Sequence, residues 1–249
     1  MRIGKTDYDI VSLSALMEQL DELVNDPQPH YVCFTDSFQC VYATQDAKLR
    51  AIHAEASLVL PDGVGLTVGA RLLGRRFPDR LPGPVVMLAY CEHGLAQGRR
   101  HFFYGGAEGV APRLKDKLQQ QFPGIEVAGT YSPPFRPLTG AEEADVKRRI
   151  EDSGAEVLWV GLGAPKQEYW MADHVGRINV PLMLGVGAAF DFHSGHRKWA
   201  PAWIRKAGLE WVYRMATGGR RILIRNAKYD TWFLLMVLKQ ALTRGADGR

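Results

Sequence analysis

Short apolar runs alternate with amphipathic stretches along most of the chain. Six runs that end at turn residues predict strands, at 30–35, 56–61, 101–106, 125–131, 156–163 and 180–190. Stretches with apolar residues every three to four positions predict helices at 9–24, 109–122, 141–153 and 166–175. Continuous apolar runs suit strands buried on both faces of a parallel sheet. The alternation therefore predicts a doubly wound α/β fold.

Length and cysteine content narrow the class of protein. The 249 residues suit one domain, or one large and one small domain. Cys33, Cys40 and Cys91 form no C-x-x-C pair, which favours a reducing compartment over a disulfide scaffold or a zinc site. The first residues lack the apolar core of a signal peptide, and no run reaches the roughly 18 apolar residues of a membrane span.

Charge is distributed unevenly along the chain. Residues 197–249 contain 12 Lys/Arg and 3 Asp/Glu, whereas residues 1–196 contain 19 and 24. This asymmetry predicts a core at 1–196 and a basic C-terminal segment at 197–249 that meets an anionic partner. Nucleic acid, a phosphorylated ligand and an acidic membrane surface all fit the charge. Sequence-specific DNA binding is disfavoured because no helix-turn-helix or zinc pattern appears.

One carboxylate stands at the end of an apolar run. Asp62 follows "LVLP" and precedes Gly63, Val64 and Gly65. Ligands of open α/β sheets bind outside the carboxyl ends of the strands, and glycines there allow close approach. Asp62 is therefore a candidate catalytic carboxylate. The alternative is that its side chain caps the helix that follows.

Glycine turns end three of the predicted strands, and helices follow two of them. Helix N-termini bind phosphate through free N–H groups and the helix dipole, so these turns are candidate nucleotide sites. The spacing G-G-x-x-G at 105–109 differs from the NAD-binding fingerprint. Gln167 is a candidate contact to a sugar hydroxyl or a base, and tight turns without ligand are the alternative. The candidate nucleotide-binding residues are Gly105, Gly106, Gly163, Lys166 and Gly187.

Arginines crowd the basic segment before the short apolar run "TWFLLMVL". Arginine forks match diphosphate oxygens, and an amphipathic stretch too short to span can lie in the membrane interface. The alternative is a C-terminal helix that packs on the core with a solvated basic face. The candidate diphosphate-binding residues are Arg214, Arg220, Arg221 and Arg225.

Several motifs together resemble the WecG/TagA/CpsF glycosyltransferase family. They are "LPDGVGL", "FFYGG", "VGLGAPKQE", "GVGAAFDF" and "KWAPAWIRKAGLEWVYR", in this order over roughly residues 30–240. The resemblance implies a Rossmann-like α/β core with a C-terminal appendage that completes the site at the membrane. It also implies an inverting transfer from a UDP-sugar to a sugar on polyprenyl diphosphate, without cofactor or the metal-binding D-x-D motif.

The resemblance assigns roles to individual residues. Asp62 matches the general base, while Thr35, Arg80 and Gln167 match residues of the pocket. Ser37 stands where the family often has asparagine, and Pro84-Val85 stand where many members have an acid. Because both differences fall where sugars are expected, the donor is left open between an N-acetylmannosamine type and glucose or a uronate. Ser37 and Gly63 complete the substrate-binding set.

These observations predict a peripheral glycosyltransferase at the cytoplasmic face of the membrane that builds a surface polysaccharide. The expected partners are a UDP-sugar, a polyprenyl-diphosphate-linked sugar and an anionic membrane surface, not nucleic acid. No metal is expected, and an oligomer is left open. Two alternatives are an NAD-dependent Rossmann oxidoreductase and a non-catalytic module that binds the membrane surface.

Overall fold

A six-stranded parallel sheet forms the centre of the computed structural model, which describes residues 1–206, 208–210, 212–213 and 219–247. Within the last two helices, the described side chains are those of 202–204 and 227–243. The sheet has the order β4-β3-β8-β7-β5-β6. Its strands are β3 (His30–Thr35), β4 (Leu58–Pro61), β5 (Arg100–Gly105), β6 (Glu126–Tyr131), β7 (Val157–Gly161) and β8 (Leu182–Gly185). A separate antiparallel pair joins β1 (Arg2–Ile3) to β2 (Thr6–Asp7).

Helices connect and cover the strands. They are α1 (Leu13–Asn25), α2 (Ser37–Gln45), α3 (Ala47–Glu55), α4 (Val64–Leu72), α5 (Gly83–His93), α6 (Val110–Gln121), α7 (Gly140–Ser153), α8 (Lys166–His174), α9 (Ala189–His193), α10 (Ala202–Lys206) and α11 (Gly219–Asp247). The predicted Rossmann-like α/β fold with a C-terminal helix is confirmed. No helix within the described ranges is both long enough and apolar enough to cross a bilayer.

Both faces of the sheet are buried, as the continuous apolar strands predicted. In β3, Val32 and Phe34 join the core under α1, α5 and α6, whereas Tyr31 and Cys33 join the core under α7 and α8. The alternation follows from the strand period of two. A third cluster holds α11 through Phe233 and Val237, which are 4% and 0% exposed. The C-terminal helix therefore packs on the core along part of its length.

The structure corrects several predicted boundaries. The apolar run 180–190 is a short strand ending at Gly185 followed by α9, because residues of both elements are buried. Helices α2 to α5 were not predicted. In α5, the buried residues lie on one face, but Val85, Leu88 and Ala89 on the other side are apolar as well, so the sequence lacks the polar stripe that marks an amphipathic helix.

Candidate active site

A polar cleft of about 480 Å³ opens at the carboxyl ends of β3, β4, β7 and β8. Loops from four neighbouring strands meet there, as expected for a ligand site of an open parallel sheet. The walls are formed mainly by Asp36, Gln39, Asp62, Pro82, Pro84, Gly163, Ala164, Gln167, Gly187, Ala188, Phe192, Arg197, Lys198, Trp199, Glu210 and Tyr213. Of the predicted site residues, Asp62, Gly163, Gln167 and Gly187 therefore lie on one cleft.

Asp62 lies directly after β4 at the rim of this cleft. Its backbone N–H donates to the carbonyl of Thr35 over 2.7 Å, which fixes it beside the end of β3. Gly63, with a φ of 95°, occupies the N-cap position of α4 and has no side chain with which to cap. Asp62 thus precedes the cap position. This placement favours a role at the cleft over the capping alternative.

An apolar groove of about 420 Å³ continues from the polar cleft between α4 and α11. We define the apolar groove by Val64, Val68 and Leu72 of α4 and Tyr229, Phe233 and Leu234 of α11. Asp36, Asp62, Pro82 and Glu210 line both spaces. Three predicted substrate-binding residues, Ser37, Gly63 and Arg80, line the groove. Asp62 therefore lies where a polar and an apolar space join.

Gln167 holds two loops of the polar cleft together. Its Oε1 accepts from the N–H of Gly163 over 3.1 Å, and its Nε2 donates to the carbonyl of Gly185 over 2.6 Å. A second Nε2 bond reaches Glu168 Oε1 over 3.0 Å. The amide thus links the turns after β7 and β8. Its predicted contact with substrate stays a prediction.

Glu168 lies behind Gln167 and is 0% exposed. Its Oε2 has no hydrogen-bond partner among the described residues. Burial removes water from the carboxylate and raises the pKa of Glu168 to about 8. Its side chain is thus uncharged at neutral pH. A glutamate in the first turn of a helix ordinarily complements the helix dipole as a charge, and burial removes that charge at Glu168.

Positive charge reaches the polar cleft from two sources. Arg197 and Lys198 line it from the loop after α9. The helices α5 and α8 begin beside it, and neither has a side-chain hydrogen bond at its N-cap. Pro84 has no N–H, and the N–H groups of Val85 and Gln167 donate to the carbonyls of Pro82 and Gly163, so the two helices favour an anion mainly through their dipoles. Arg197 and Lys198 belong to the basic segment predicted from the sequence but were not among the predicted site residues, although they follow the third glycine-ended strand by about ten residues.

An aromatic stack holds the loop that carries these cations. The rings of Phe192 and Trp199 are parallel within 5°, with centroids 5.6 Å apart. The indole N–H of Trp199 donates to Glu210 Oε1 over 3.3 Å. This bond links the loop after α9 to the segment that precedes α11. Residues beyond position 196 therefore form one wall of the cleft.

Other predicted nucleotide-binding residues lie outside the lining of the two spaces. Gly105 ends β5 against β7, where an added Cβ would lie 2.6 Å from the carbonyl of Gly161. Gly106 packs on Val110 in the same way. Lys166 is exposed at the start of α8. Close packing, against backbone at Gly105 and against a side chain at Gly106, accounts for the two glycines. Nucleotide contacts from all three residues stay predictions.

The predicted arginines lie largely outside the described part of the chain. Arg214 falls among the residues that are not described, and Arg220, Arg221 and Arg225 belong to α11 with side chains outside the description. Within the described residues, no group of three or more His, Cys, Asp or Glu side chains is arranged to hold a metal ion. In α9, His193 Nε2 lies 2.8 Å from the carbonyl oxygen of Pro84.

Comparison with known proteins agrees with this geometry. The profile of the glycosyl transferase WecG/TagA/CpsF family matches residues 1–247. An N-acetylglucosaminyldiphosphoundecaprenol N-acetyl-beta-D-mannosaminyltransferase of Bacillus spizizenii is 30% identical over 179 residues, covering 72% of this chain and 68% of the relative. A Staphylococcus aureus protein of the same name is 29% identical over 181 residues, covering 73% and 69%.

Proposed function

The chain belongs to the WecG/TagA/CpsF glycosyltransferase family, and from this premise we propose that it moves a sugar from a UDP-sugar to a sugar on polyprenyl diphosphate. The observation that carries the proposal is the position of Asp62 at the junction of the polar cleft and the apolar groove. A water-soluble donor and a lipid-linked acceptor need spaces of opposite character that meet at the reacting atoms.

Asp62 acts as the general base in this proposal. The acceptor hydroxyl attacks the anomeric carbon of the donor, and its proton passes to the Asp62 carboxylate. A new bond joins the acceptor oxygen to the anomeric carbon as the bond to the β-phosphate oxygen of UDP breaks. One displacement of this kind inverts the anomeric centre. The base must come within about 2.6–3.2 Å of the hydroxyl, directly or through one water.

The polar cleft holds the departing UDP. Arg197 and Lys198, together with the N-termini of α5 and α8, are the groups of the cleft that favour a diphosphate. The carboxylates of Asp36, Asp62 and Glu210 line the same cleft. Groups that are in place before the reaction stabilise the developing charge without reorganisation. We expect UDP to bind without added divalent metal on this basis. Loss of binding on chelation and recovery with magnesium would contradict that expectation.

The C-terminal segment, residues 197–249, both completes the site and attaches the protein to the cytoplasmic face of the membrane. Trp199, Glu210 and Tyr213 line the polar cleft, which supports the first role. Large apolar side chains exposed on α11, among them Leu238 at 42% and Leu242 at 76%, support the second. Basic residues near an anionic surface contribute about 1 kcal/mol each. Sedimentation with anionic and neutral vesicles tests the attachment.

A donor panel tests the transfer itself. UDP release is measured with UDP-N-acetylmannosamine, its uronate, UDP-glucose and UDP-glucuronate against polyprenyl-diphosphate-linked N-acetylglucosamine, the acceptor named for the two relatives. We expect release with one donor class, and only when acceptor is present. Absence of acceptor-dependent release with every donor and with other prenyl-linked sugars overturns the proposed function. Calorimetry with UDP and with NAD distinguishes a glycosyltransferase, which should bind UDP, from the NAD-dependent oxidoreductase alternative, which should bind NAD.

A further inference from the structure

The apolar groove between α4 and α11 gives the acceptor's lipid a place in the structure. We propose that it binds the first isoprene units of the acceptor's prenyl chain. The inference rests on the proposed function and adds a binding site for a second part of the substrate. Three features support a prenyl chain as the occupant: the walls of the groove, its exposed rim and its continuity with the space around Asp62.

The groove has a fixed wall on each side. Val64, Val68 and Leu72 follow one another at intervals of four residues, so they form one stripe along α4. Across from them, Phe233 packs against α4 where Gly69 has no side chain, since an added Cβ would lie 2.6 Å from Phe233 Cζ. Phe233 is 4% exposed and belongs to the buried cluster that holds α11. The groove is thus defined by the core packing.

Part of the rim of the groove is apolar and open to solvent, whereas Asp36, Arg80 and Asp230 belong to its polar lining. Val68, Leu72 and Leu234 are 41%, 42% and 45% exposed. Contiguous exposed apolar side chains mark a binding surface more often than isolated ones. Along α11, Leu238 and Leu242 continue the interval of four from Leu234. They extend the apolar surface by about 12 Å at 1.5 Å per residue. A chain that leaves the groove along this stripe stays in contact with apolar side chains.

Continuity with the polar cleft identifies the occupant. Asp36, Asp62, Pro82 and Glu210 line both spaces. With the donor in the polar cleft and the acceptor hydroxyl at Asp62, the rest of the acceptor extends toward the groove. A second copy of the chain seated here would cover the acceptor side of Asp62.

Neighbouring residues of α11 provide a matched test. Leu234 lines the groove and Leu235 does not, although both are exposed, at 45% and 59%. Geranylgeranyl diphosphate is titrated against the full chain by calorimetry, with inorganic diphosphate as the probe without a chain. We expect Leu234→Glu and Val68→Glu to weaken geranylgeranyl diphosphate binding by about tenfold or more, because a carboxylate removes apolar contact area and resists desolvation. Leu235→Glu and the diphosphate titration should be unchanged.

Turnover gives an independent readout. With the best donor, the two groove variants should raise KM for a long-chain prenyl-linked acceptor in neutral detergent. They should leave kcat/KM unchanged for an acceptor carrying a methyl group in place of the prenyl chain. Equal effects on both acceptors, or equal binding by Leu234→Glu and Leu235→Glu, would overturn the groove assignment. So would a shift in sedimentation coefficient confined to the groove variants, which would identify a contact between copies. Absence of turnover by the wild type with every acceptor, while geranylgeranyl diphosphate still binds the groove, refutes the proposed function alone.

Discussion

The polar cleft and the apolar groove meet at Asp62 but are held in different ways. Turns at strand ends form most of the cleft, and side-chain hydrogen bonds such as those of Gln167 fix them to one another. The groove exists because α4 packs against a helix far away in sequence, through Gly69 and Phe233. The first space depends on the parallel sheet, and the second depends on the docking of α11. Variants that affect one and spare the other measure how far the two are independent.

Asp62→Asn should have the largest effect, because Asp62 serves both spaces. Asparagine keeps the size and one acceptor oxygen but cannot take a proton. We expect turnover to fall by about 10²–10⁴-fold, with UDP affinity and the free energy of unfolding nearly unchanged. Single-turnover kinetics and UDP calorimetry measure the two quantities. A fully active Asp62→Asn enzyme would refute the assignment of the base.

Phe233→Ala should affect the groove and spare the cleft. The ring is 4% exposed and lies against Gly69 in the cluster that includes Val237. Removing it leaves a cavity and should lower the free energy of unfolding by about 3–5 kcal/mol. The exposed Leu235→Ala is the matched control, expected to change it by less than about 0.5 kcal/mol. Urea unfolding measures both.

UDP affinity of the folded Phe233→Ala protein decides whether the two spaces are independent. No residue of α11 belongs to the described lining of the polar cleft, so calorimetry with UDP should give the wild-type value. A loss of UDP affinity in the fully folded variant would show that docking of α11 also shapes the cleft. The two spaces would then have to be treated as one site.

The Glu168→Gln variant tests whether the buried carboxyl behind the polar cleft is protonated, through the pH dependence of the free energy of unfolding. Unfolding exposes Glu168, whose pKa returns to the ordinary 4.5 from about 8 in the folded protein. Between these values the folded state keeps a proton that the unfolded state has lost, so this group's contribution to stability falls as pH rises. Glutamine does not titrate. Relative to wild type, the variant should therefore gain stability from pH 5 to pH 8, on the order of a few kcal/mol. Parallel curves of unfolding free energy against pH would contradict the buried protonated carboxyl.

The polar cleft depends on local strand ends and the apolar groove on a tertiary pairing, and this difference explains which parts of the site could be predicted from the sequence. The strand ends were predictable, because each is a local run of apolar residues followed by a turn, and Asp62, Gly163, Gln167 and Gly187 lie on one cleft. Gly105 and Gly106 have the same local pattern, yet their positions are explained by packing on Gly161 and Val110. A local pattern does not distinguish a glycine that admits a ligand from one that admits a neighbouring strand.

The groove was not predictable, because it depends on a tertiary pairing. Residues 64–72 were not predicted to form a helix, and no local signal pairs them with 229–234. The neutral state of Glu168 depends in the same way on its surroundings, since a glutamate in the first turn of a helix ordinarily complements the dipole. Burial reverses that expectation here. Properties set by distant neighbours require the folded structure.

Asp36 provides the smallest and most local comparison, because it lines both spaces and also caps a helix. Its Oδ1 accepts from the N–H of Gln39 over 2.9 Å at the start of α2. Asparagine caps about as well as aspartate, so Asp36→Asn should leave the free energy of unfolding unchanged, whereas Asp36→Ala should lower it by about 1 kcal/mol.

The Asp36→Asn change is chemically identical to Asp62→Asn and lies on the same two spaces. If proton transfer belongs to Asp62 alone, Asp36→Asn should reduce turnover by less than about tenfold, well short of the 10²–10⁴-fold typical of a lost general base. Urea unfolding and single-turnover kinetics on the three variants measure these effects, and equal loss of turnover in both asparagine variants would mean that the two carboxylates act as a pair.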